Sequence, residues 1–518
     1  MRSEKLASLS QPFDVLVIGG GATGLGIAVD AATRGYRTAL VETGDFAQAT
    51  SSRATKLVHG GVRYLASGQI HLVYEALHER AVMLRNAPHL VEPLGFVLPA
   101  QSWIDLPFYG IGLKIYDLLS GSASMGPTSI LSQKETKKKI PNIAADKLRG
   151  GIFYHDGQFD DARLALALAR TAEDHGATVL NYVRSTSFLK ENGKITGAVV
   201  QDVETGTEYS VHAKCVINAT GIFVDDLRKE DDHAIPKLLS VSRGTHIVVD
   251  PEVLGSHNAI MVPKTEDGRV IFAIPWLGKV VIGTTDLAAT DVEMEPGHIA
   301  SEIDYLLEHI NPYLTKQISH SDILSVFSGL RPLVTGKSST TSKLSREHHI
   351  DTSPTGLITV AGGKWTTYRR MAEDTFTFAI KHNMLPDKPC RTRDIKLHAA
   401  PTVKLPGPLA RYGDDASEIT KLVATRPDLS DPVVPNSSFD FILAEVVFAV
   451  RHEMARTVED VLSRRMRLLL LDAKAASAAA PSVAALMARE LNALGHWEQQ
   501  QVTAFQHLAT TFYIANPT

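Results

Sequence analysis

The sequence predicts an α/β fold that is built around a Rossmann-type dinucleotide-binding unit. Near its start the chain has an apolar strand (residues 14–18), a glycine-rich turn, a helix (25–34) and a second strand (38–41). Beyond residue 398 the chain is instead rich in alanine, leucine, arginine and glutamate, which is typical of a small helical domain. We therefore predict two parts: residues 1–398, and a C-terminal all-helical domain over residues 399–518.

The glycine-rich turn has the spacing of a dinucleotide-binding fingerprint, with glycine at positions 19, 21 and 24. Gly19 permits the tight turn, Gly21 lets backbone approach a pyrophosphate, and Gly24 lets the helix pack closely on the strand. The pyrophosphate would lie at the helix N-terminus, beside Ala22 and Thr23, where free N–H groups and the helix dipole favour negative charge.

Glu42 ends the second strand and completes this unit. A carboxylate about twenty residues after the turn is suited to the diol of an adenosine ribose. Its negative charge would repel a 2′-phosphate. The turn, both strands and this carboxylate together predict a dinucleotide without a 2′-phosphate.

The composition is that of an ordinary globular protein, with 44% hydrophobic and 21% charged residues among 518. A formal charge of −4 gives no reason to expect nucleic acid as a partner. Cys215 and Cys390 match no metal or redox spacing, and Cys215 reads as a buried strand thiol in a reducing compartment. The sequence shows no signal region and no stretch long enough to span a bilayer, so we expect a cytoplasmic protein or one on a membrane surface.

Further glycine- and serine-rich segments are expected to approach the same dinucleotide. Each follows a predicted strand or lies directly behind the ribose-binding carboxylate, where backbone N–H groups and small side chains contact phosphates. The segments are Ser51-Ser52, His59-Gly60-Gly61, Thr220-Gly221 and Gly363-Lys364 with Thr366-Thr367.

Three cations lie beside glycine-rich turns: Arg63 (next to Tyr64), Arg331 and Lys364. Cations in such positions are suited to holding an anionic substrate group, and the planar fork of arginine matches phosphate. His59 and His246 are candidate bases because imidazole titrates near working pH. Each of these side chains, taken singly, is equally compatible with an ion pair or a structural hydrogen bond.

Residues 103–119 form an unusual apolar stretch with one basic residue, Lys114. The stretch is either a buried helix or a helix that contacts a membrane. A second predicted helix, near residues 451–467, is rich in arginine, at positions 456, 464, 465 and 467. These arginines either form a solvated face or attract the helix to an anionic surface.

Together these motifs resemble the FAD-dependent glycerol-3-phosphate dehydrogenases, which are related to glycine oxidase and D-amino-acid oxidase. The resemblance covers nearly the whole chain, and one departure, Arg243 where many relatives have lysine, keeps the charge. No calcium-loop pattern follows the helical domain, as in the bacterial form. The resemblance is carried by Gly19–Gly24, Ser51-Ser52, residues 59–64, 160–164, 218–221, 244–246, 282–286, 328–332, 362–368 and 453–460.

The resemblance implies a Rossmann-type FAD-binding domain interleaved with an antiparallel-sheet substrate domain. It implies oxidation of sn-glycerol 3-phosphate to dihydroxyacetone phosphate, in which a base, His246 or His59, takes the C2 hydroxyl proton while hydride leaves for the flavin. Electrons would pass through FAD to a membrane quinone. It also implies peripheral attachment to the inner face of the cytoplasmic membrane, and it allows a homodimer.

Four other functions use some of the same motifs. A glycerol-3-phosphate oxidase would pass its electrons to oxygen. An amino-acid or hydroxy-acid oxidase needs one carboxylate-binding arginine, whereas this sequence offers three cations near glycine turns. A flavin-binding protein without turnover has no use for those cations, and nicotinamide chemistry does not require the later Thr220-Gly221 turn.

Overall fold

A computed structural model describes residues 2–62, 69–263, 265, 268–335 and 348–514. In chain order the strands are β1 Phe13–Ile18, β2 Thr38–Val41, β3 Leu57–Val58, β4 Val91–Ala100, β5 Ser129–Ser132, β6 Gly150–Phe159, β7 Thr178–Leu180, β8 Val183–Glu191, β9 Lys194–Asp202, β10 Glu208–Asn218, β11 Leu239–Val249, β12 Ala259–Val262, β13 Ile271–Trp276, β14 Lys279–Gly283, β15 Leu287–Ala289, β16 Ser325–Val334, β17 His348–Thr352 and β18 Ile358–Gly362.

The helices alternate with these strands in the first four hundred residues and follow one another after them. In chain order they are α1 Arg2–Ser8, α2 Ala22–Thr33, α3 Ile70–Asn86, α4 Asp105–Ser120, α5 Gln133–Lys139, α6 Asp161–Asp174, α7 Val224–Asp231, α8 Ala300–Ile310, α9 Tyr368–Lys381, α10 Ala416–Thr425, α11 Leu443–His452, α12 Leu468–Leu471, α13 Ala473–Leu491 and α14 Trp497–Thr510.

The first sheet confirms the Rossmann-type prediction. Its strands run in the order β17-β18-β10-β1-β2-β7, and β1 pairs in parallel with both β2 and β10. Both β1 and β2 are apolar and almost wholly buried, as expected for parallel strands that are covered on both faces. The buried faces of α2, α6 and α9 share one core with these strands. Because β1, β2 and β10 end at the same edge, the turns that follow them meet there.

The second sheet is antiparallel except where β12 pairs in parallel with β4. Its strands run β15-β11-β14-β13-β12-β4-β6-β3, with β16 paired to β11. Strands of the two sheets alternate along the chain, so the FAD-binding and substrate parts are interleaved as expected.

The C-terminal helices pack around their own apolar core and reach the second sheet. Their core includes Val458, Leu469 and Val483, and it extends to Phe327 of β16 and Trp276 of β13. The helical character of this region confirms the prediction. The boundary at residue 398 stays a prediction.

The two cysteines are free thiols. Cys215 lies on β10 and is buried, and burial raises the pKa of its thiol to about 12. Cys390 is half-buried, and burial raises its pKa as well. The interpretation of Cys215 as a buried strand thiol is therefore confirmed.

Candidate active site

The glycine turn after β1 is closed by backbone contacts that leave no room for side chains. The Gly19 N–H donates to Val41 O at 2.9 Å, and Gly19 has a φ of +115°, which favours glycine. A Cβ on Gly24 would lie 1.9 Å from Gly19 O. The predicted close packing of helix on strand is therefore present.

The N-terminus of α2 is open toward the turn. No side chain caps this helix at Gly21, and a Cβ at Gly21 would meet only the Ser51 hydroxyl, at 3.1 Å, among the described atoms within 4 Å. Ala22 N–H donates to Ser51 Oγ at 2.9 Å, and half-buried Thr23 follows it. The N–H groups at the start of α2 face open space, and such a helix N-terminus fits the pyrophosphate of FAD.

Glu42 lies at the end of β2, beside this turn. Its carboxylate accepts hydrogen bonds from Gly20 N–H at 2.6 Å and Gly44 N–H at 2.9 Å. Burial raises the pKa of the Glu42 carboxyl, and the two N–H groups oppose that rise. Two backbone donors still leave the carboxylate lone pairs for a ribose diol, so its predicted role fits the geometry.

The two serines differ in orientation. Ser51 faces the dinucleotide turn through its hydroxyl, while its carbonyl oxygen accepts from Trp365 Nε1 at 2.8 Å. Ser52 is fully buried, and its hydroxyl donates at 3.4 Å to carbonyls of its own segment, Gln48 O and Ala49 O. The side chain of Ser52 therefore supports the segment rather than facing the helix N-terminus, in contrast to its predicted cofactor contact.

The turn after β10 adjoins the first one, as predicted. Asn218 pairs with Ile18, and the hydroxyl of Thr220 donates to Asn218 Oδ1 at 2.7 Å. Gly221 has a φ of +62°, and no described atom lies within 4 Å of a Cβ built on it. This turn offers a second open backbone approach at the same sheet edge.

Residues 59–61 and 363–367 lie next to each other. His59 N–H donates to the buried Thr366 hydroxyl at 3.4 Å, and Gly60 N–H donates to the Tyr116 hydroxyl at 2.7 Å. Gly61 and Gly363 have φ values of +76° and +80°. Half-buried Lys364 and Thr367 form a tight turn in which Thr367 N–H donates to Lys364 O at 3.1 Å. The predicted Arg63 and Tyr64 lie outside the described residues.

His246 lies on β11, where the second sheet meets the segment after Ser51-Ser52. Its ring is stacked on Phe327 with centroids 4.8 Å apart, and Nε2 lies 3.0 Å from Thr55 Oγ1. Only 1% of the residue is exposed, and Nδ1 has no hydrogen-bond partner among the described atoms. Burial, and then the charges of Lys56 and Arg331, lower the pKa of His246 well below that of a free imidazole.

Arg331 lies on β16 with its guanidinium directly over Gly244, where a Cβ would come within 2.1 Å of Nη2. Nη2 donates to Thr284 Oγ1 at 2.9 Å and to Thr285 O at 3.0 Å, and Nη1 lies 3.6 Å from Asp286 Oδ1. Its side chain is 23% exposed. The arginine is thus positioned by the sheet, and part of its side chain is exposed.

Lys56 is a residue of this site whose role the sequence did not indicate. It is fully buried, donates to Asp161 Oδ2 at 2.7 Å and to Ser52 O at 2.9 Å, and lies over the rings of Trp276 and Phe327. Burial lowers the pKa of Lys56 to about 7, and the charge of Asp161 opposes the shift. Its position directly before an apolar strand was the signal in the sequence that it could be buried. Its partner Asp161 is 105 residues away, so the ion pair could not be recognised from the local sequence.

The arginine-rich region 451–467 is neither a single helix nor solvated. Helix α11 ends at His452, residues Asp460–Arg465 form a π-helical turn, and Arg467 has a φ of +67°. Arg464, Arg465 and Arg467 are almost completely buried against carboxylates of the FAD-binding part. Both interpretations of these three residues were wrong. Each of them pairs with a carboxylate that is distant in sequence, Asp45 or Asp161, and Arg464 pairs with Glu459 and Asp460 as well. Arg456 remains partly exposed and pairs with Glu204.

The parallel sheet carries the glycine turn that fits a dinucleotide. The second sheet carries a histidine and an arginine on the paired strands β11 and β16. This combination is that of the class of FAD-dependent oxidoreductases. A family model described as FAD dependent oxidoreductase matches residues 14–369, and one described as the C-terminal domain of alpha-glycerophosphate oxidase matches residues 353–502. The glycerol-3-phosphate dehydrogenase of mitochondria from Macaca fascicularis is 44% identical over 95% of this chain and 72% of its own length.

Two solved structures are also similar. The glycerol-3-phosphate dehydrogenase from Bacillus halodurans, complexed with FAD, superimposes with a TM-score of 0.82 and 30% identity over 100% of this chain and 98% of its own. The L-alpha-glycerophosphate oxidase from Mycoplasma pneumoniae shares the fold, with a TM-score of 0.57 and 18% identity over 74% of this chain and 98% of its own. The chain belongs to the FAD-dependent glycerol-3-phosphate dehydrogenase family, and its cofactor is FAD.

Proposed function

We propose that this protein oxidises sn-glycerol 3-phosphate to dihydroxyacetone phosphate and passes the electrons to a membrane quinone. The observation that carries the proposal is the position of His246 and Arg331. Both lie on the antiparallel sheet, and His246 is hydrogen-bonded to the segment that also contacts the dinucleotide turn. A candidate base and a candidate anion-binding cation thus lie at the interface between the cofactor-binding and substrate-binding parts. Family membership supplies the substrate class.

His246 is the preferred base. When bound, FAD supplies the acceptor for the hydride that leaves C2. The buried imidazole remains neutral at working pH, because burial and two nearby cations disfavour its protonated form. Neutral imidazole can take the C2 hydroxyl proton, and the hydrogen bond with Thr55 fixes the ring orientation. His59, next to the Thr366 turn, is the alternative.

Arg331 is proposed to bind the substrate phosphate through the exposed part of its side chain. Its other hydrogen bonds, to Thr284 and Thr285, hold the guanidinium plane in place before substrate arrives. A planar, permanently charged donor is suited to a phosphate dianion. Lys364, in the half-buried turn next to His59, is proposed as a second cation for the same group.

Docking to a membrane surface is proposed from helix α4. The helix buries Leu113 and Tyr116 and leaves a row of large apolar side chains in solvent. These are Ile111 and Ile115 with Phe108 (68% exposed), Leu118 (80%) and, just before the helix, Trp103 (69%) and Ile104 (78%). An exposed apolar patch of this kind marks an interaction site, and an amphipathic helix of this type is suited to the interfacial plane of a bilayer.

A surface attachment is also what the lipid-soluble acceptor would require. Among the described residues, the structure has no helix that is long and apolar enough to cross a bilayer. We propose that the protein lies on the inner face of the cytoplasmic membrane, with α4 in the interface. Ile70 and Tyr74 of α3, both about half exposed, extend the apolar surface.

The deciding experiment is anaerobic reduction of the purified holoprotein. Glycerol 3-phosphate should bleach the flavin absorbance, whereas glycerol and amino acids should not. Bleaching by an amino acid would contradict the proposal and indicate the related oxidase chemistry. Oxygen uptake with stoichiometric peroxide, without need for a quinone, would indicate a glycerol-3-phosphate oxidase instead.

A further inference from the structure

The segment formed by residues 45–56, here called the serine segment, is held on one side by the dinucleotide turn. Ala47 N–H donates to Gly20 O at 3.0 Å. Ser51 Oγ accepts from Ala22 N–H at 2.9 Å. The serine segment therefore lies directly against the backbone that fits the FAD pyrophosphate, and its geometry determines the shape of that site.

The other side of the serine segment is held by the C-terminal domain. Asp45, which is fully buried, accepts from Arg464 Nε at 2.5 Å and from Arg465 Nη2 at 3.0 Å. Gln48 Nε2 donates to Glu459 Oε1 at 3.2 Å. These contacts join positions that are more than four hundred residues apart, so they form only when the C-terminal domain is docked.

Arg467 makes the most central of these contacts. Its Nη2 donates to Ser52 O at 3.0 Å and to Asp161 Oδ1 at 2.6 Å. Asp161 in turn accepts from Ala54 N–H at 3.1 Å and from Lys56 Nζ at 2.7 Å. One buried arginine of the C-terminal domain thus fixes the serine segment both directly and through a shared carboxylate.

The backbone of the serine segment needs such support. Ala47 and Lys56, which lie near its two ends, have φ values of +59° and +64°. Residues with a Cβ disfavour this left-handed region and occupy it when surrounding contacts hold them there. Without the C-terminal arginines, the segment would relax toward other conformations and move the Ser51 hydroxyl away from Ala22.

We propose that the C-terminal domain is a structural part of the FAD site, with Arg467 as a positioning residue for the serine segment. FAD binding and docking of the C-terminal domain are then coupled, because both require the same conformation of residues 45–56. Coupling is reciprocal: FAD stabilises the docked domain by the same factor by which the docked domain strengthens FAD binding.

The test compares two buried arginines of the same domain interface. Arg467→Met removes the contact to the serine segment. The matched control, Arg163→Met, removes a similarly buried arginine that pairs with Glu453 of the C-terminal domain at 2.7 Å. Among the described residues, Arg163 makes no hydrogen bond or ion pair with residues 45–56. FAD affinity of the full-length apoprotein is measured by flavin fluorescence titration, and hydrogen exchange of residues 460–471 is measured with and without FAD. No substrate is needed.

Arg467→Met should weaken FAD binding by about tenfold or more, as expected for loss of a charged hydrogen bond, whereas Arg163→Met, which removes a docking contact but none to residues 45–56, should weaken it clearly less. FAD should slow exchange of residues 460–471 in the wild type and in Arg163→Met, and should have little effect on it in Arg467→Met. Equal FAD affinities of the two variants, or identical exchange of the wild type with and without FAD, would overturn the proposal. If Arg467→Met does not fold, Arg467→Lys is compared with Arg163→Lys, with the same expected order.

Discussion

Thr55 Oγ1 and His246 Nε2 lie 3.0 Å apart, although 191 residues separate them in the chain. Thr55 belongs to the segment that contacts the dinucleotide turn, and His246 belongs to the antiparallel sheet. Their hydrogen bond therefore links the cofactor part to the substrate part at the candidate base.

Glu42→Ala should lower the FAD affinity of the apoprotein. A charge-assisted hydrogen bond to the ribose contributes roughly 1.5–3 kcal/mol, which corresponds to at least about tenfold in the dissociation constant. The control is Asp14→Ala, which removes a carboxylate near the start of β1 that pairs with Lys214. Full flavin occupancy of Glu42→Ala at low FAD would show that Glu42 only closes the turn through Gly20 and Gly44.

Arg331→Leu should reduce kcat/KM for glycerol 3-phosphate far more than it reduces slow turnover of glycerol. Loss of a charged partner from a desolvated site costs about 2–5 kcal/mol by analogy with buried interfacial pairs. Arg331→Lys keeps the charge but not the planar fork, so it should recover part of the activity. Equal losses with both substrates would leave Arg331 a structural residue of β16.

The pH profile of kcat/KM should have an acidic limb that His246→Asn removes. Protonation of the base inactivates it, so activity should fall as the pH falls through the pKa of His246. Because burial and two cations lower that pKa, the limb should lie below the ordinary imidazole value of about 6.5 rather than near neutrality. The control His382→Asn alters an exposed histidine directly after α9 and should leave the profile unchanged. A limb that persists in His246→Asn would move the role to His59 or to another group.

Lys56→Met should move the acidic limb toward higher pH. Below about pH 7 the amine of Lys56 is protonated, and the positive charge of the ammonium disfavours the imidazolium form of His246. Removing it should raise the pKa of His246. Lys404→Met, which removes an exposed lysine paired with Glu92, is the control. An unchanged limb in Lys56→Met would mean that the lysine does not influence the base.

Replacing Phe108, Ile111 and Ile115 with serine should abolish sedimentation with anionic liposomes. The triple variant should keep dye-linked activity, because these side chains point into solvent and the core of α4 is untouched. A matched control replaces Val203, Val403 and Leu494, which are exposed apolar residues elsewhere, and should still sediment. Sedimentation of the first variant would show that α4 is not the docking surface.

Local patterns in the sequence were sufficient to predict the dinucleotide-binding unit and the helical C-terminal region. The turn at Gly19, the carboxylate at Glu42 and the second turn at Thr220 are encoded by spacing and by strand ends, and all three lie where they were expected. A helix was also expected within residues 103–119, and α4 lies there. Its large apolar face is exposed, so the interpretation as a buried helix was wrong, while contact with a membrane stays a proposal.

Contacts between distant charged residues could not be predicted. Arg464, Arg465 and Arg467 read as a solvated face, since arginine is rarely buried. Only part of their pairing is local, because Arg464 pairs with Glu459 and Asp460 but also with Asp45. Their carboxylates, Asp45 and Asp161, belong to other elements. The inward orientation of Ser52 was missed for the same reason, because its carbonyl is held by Lys56 and Arg467.

The two thiols of this chain make it a convenient background for site-specific labelling. Thiol reagents attack the thiolate, and burial keeps Cys215 protonated and inaccessible, while it raises the pKa of Cys390 as well. A Leu118→Cys substitution would place a third thiol at a position that is 80% exposed on the apolar face of α4. An environment-sensitive fluorophore on that thiol would change its emission as the helix leaves water for lipid. With half-buried Cys390 replaced by serine, membrane association could be followed in real time while Cys215 stays in place.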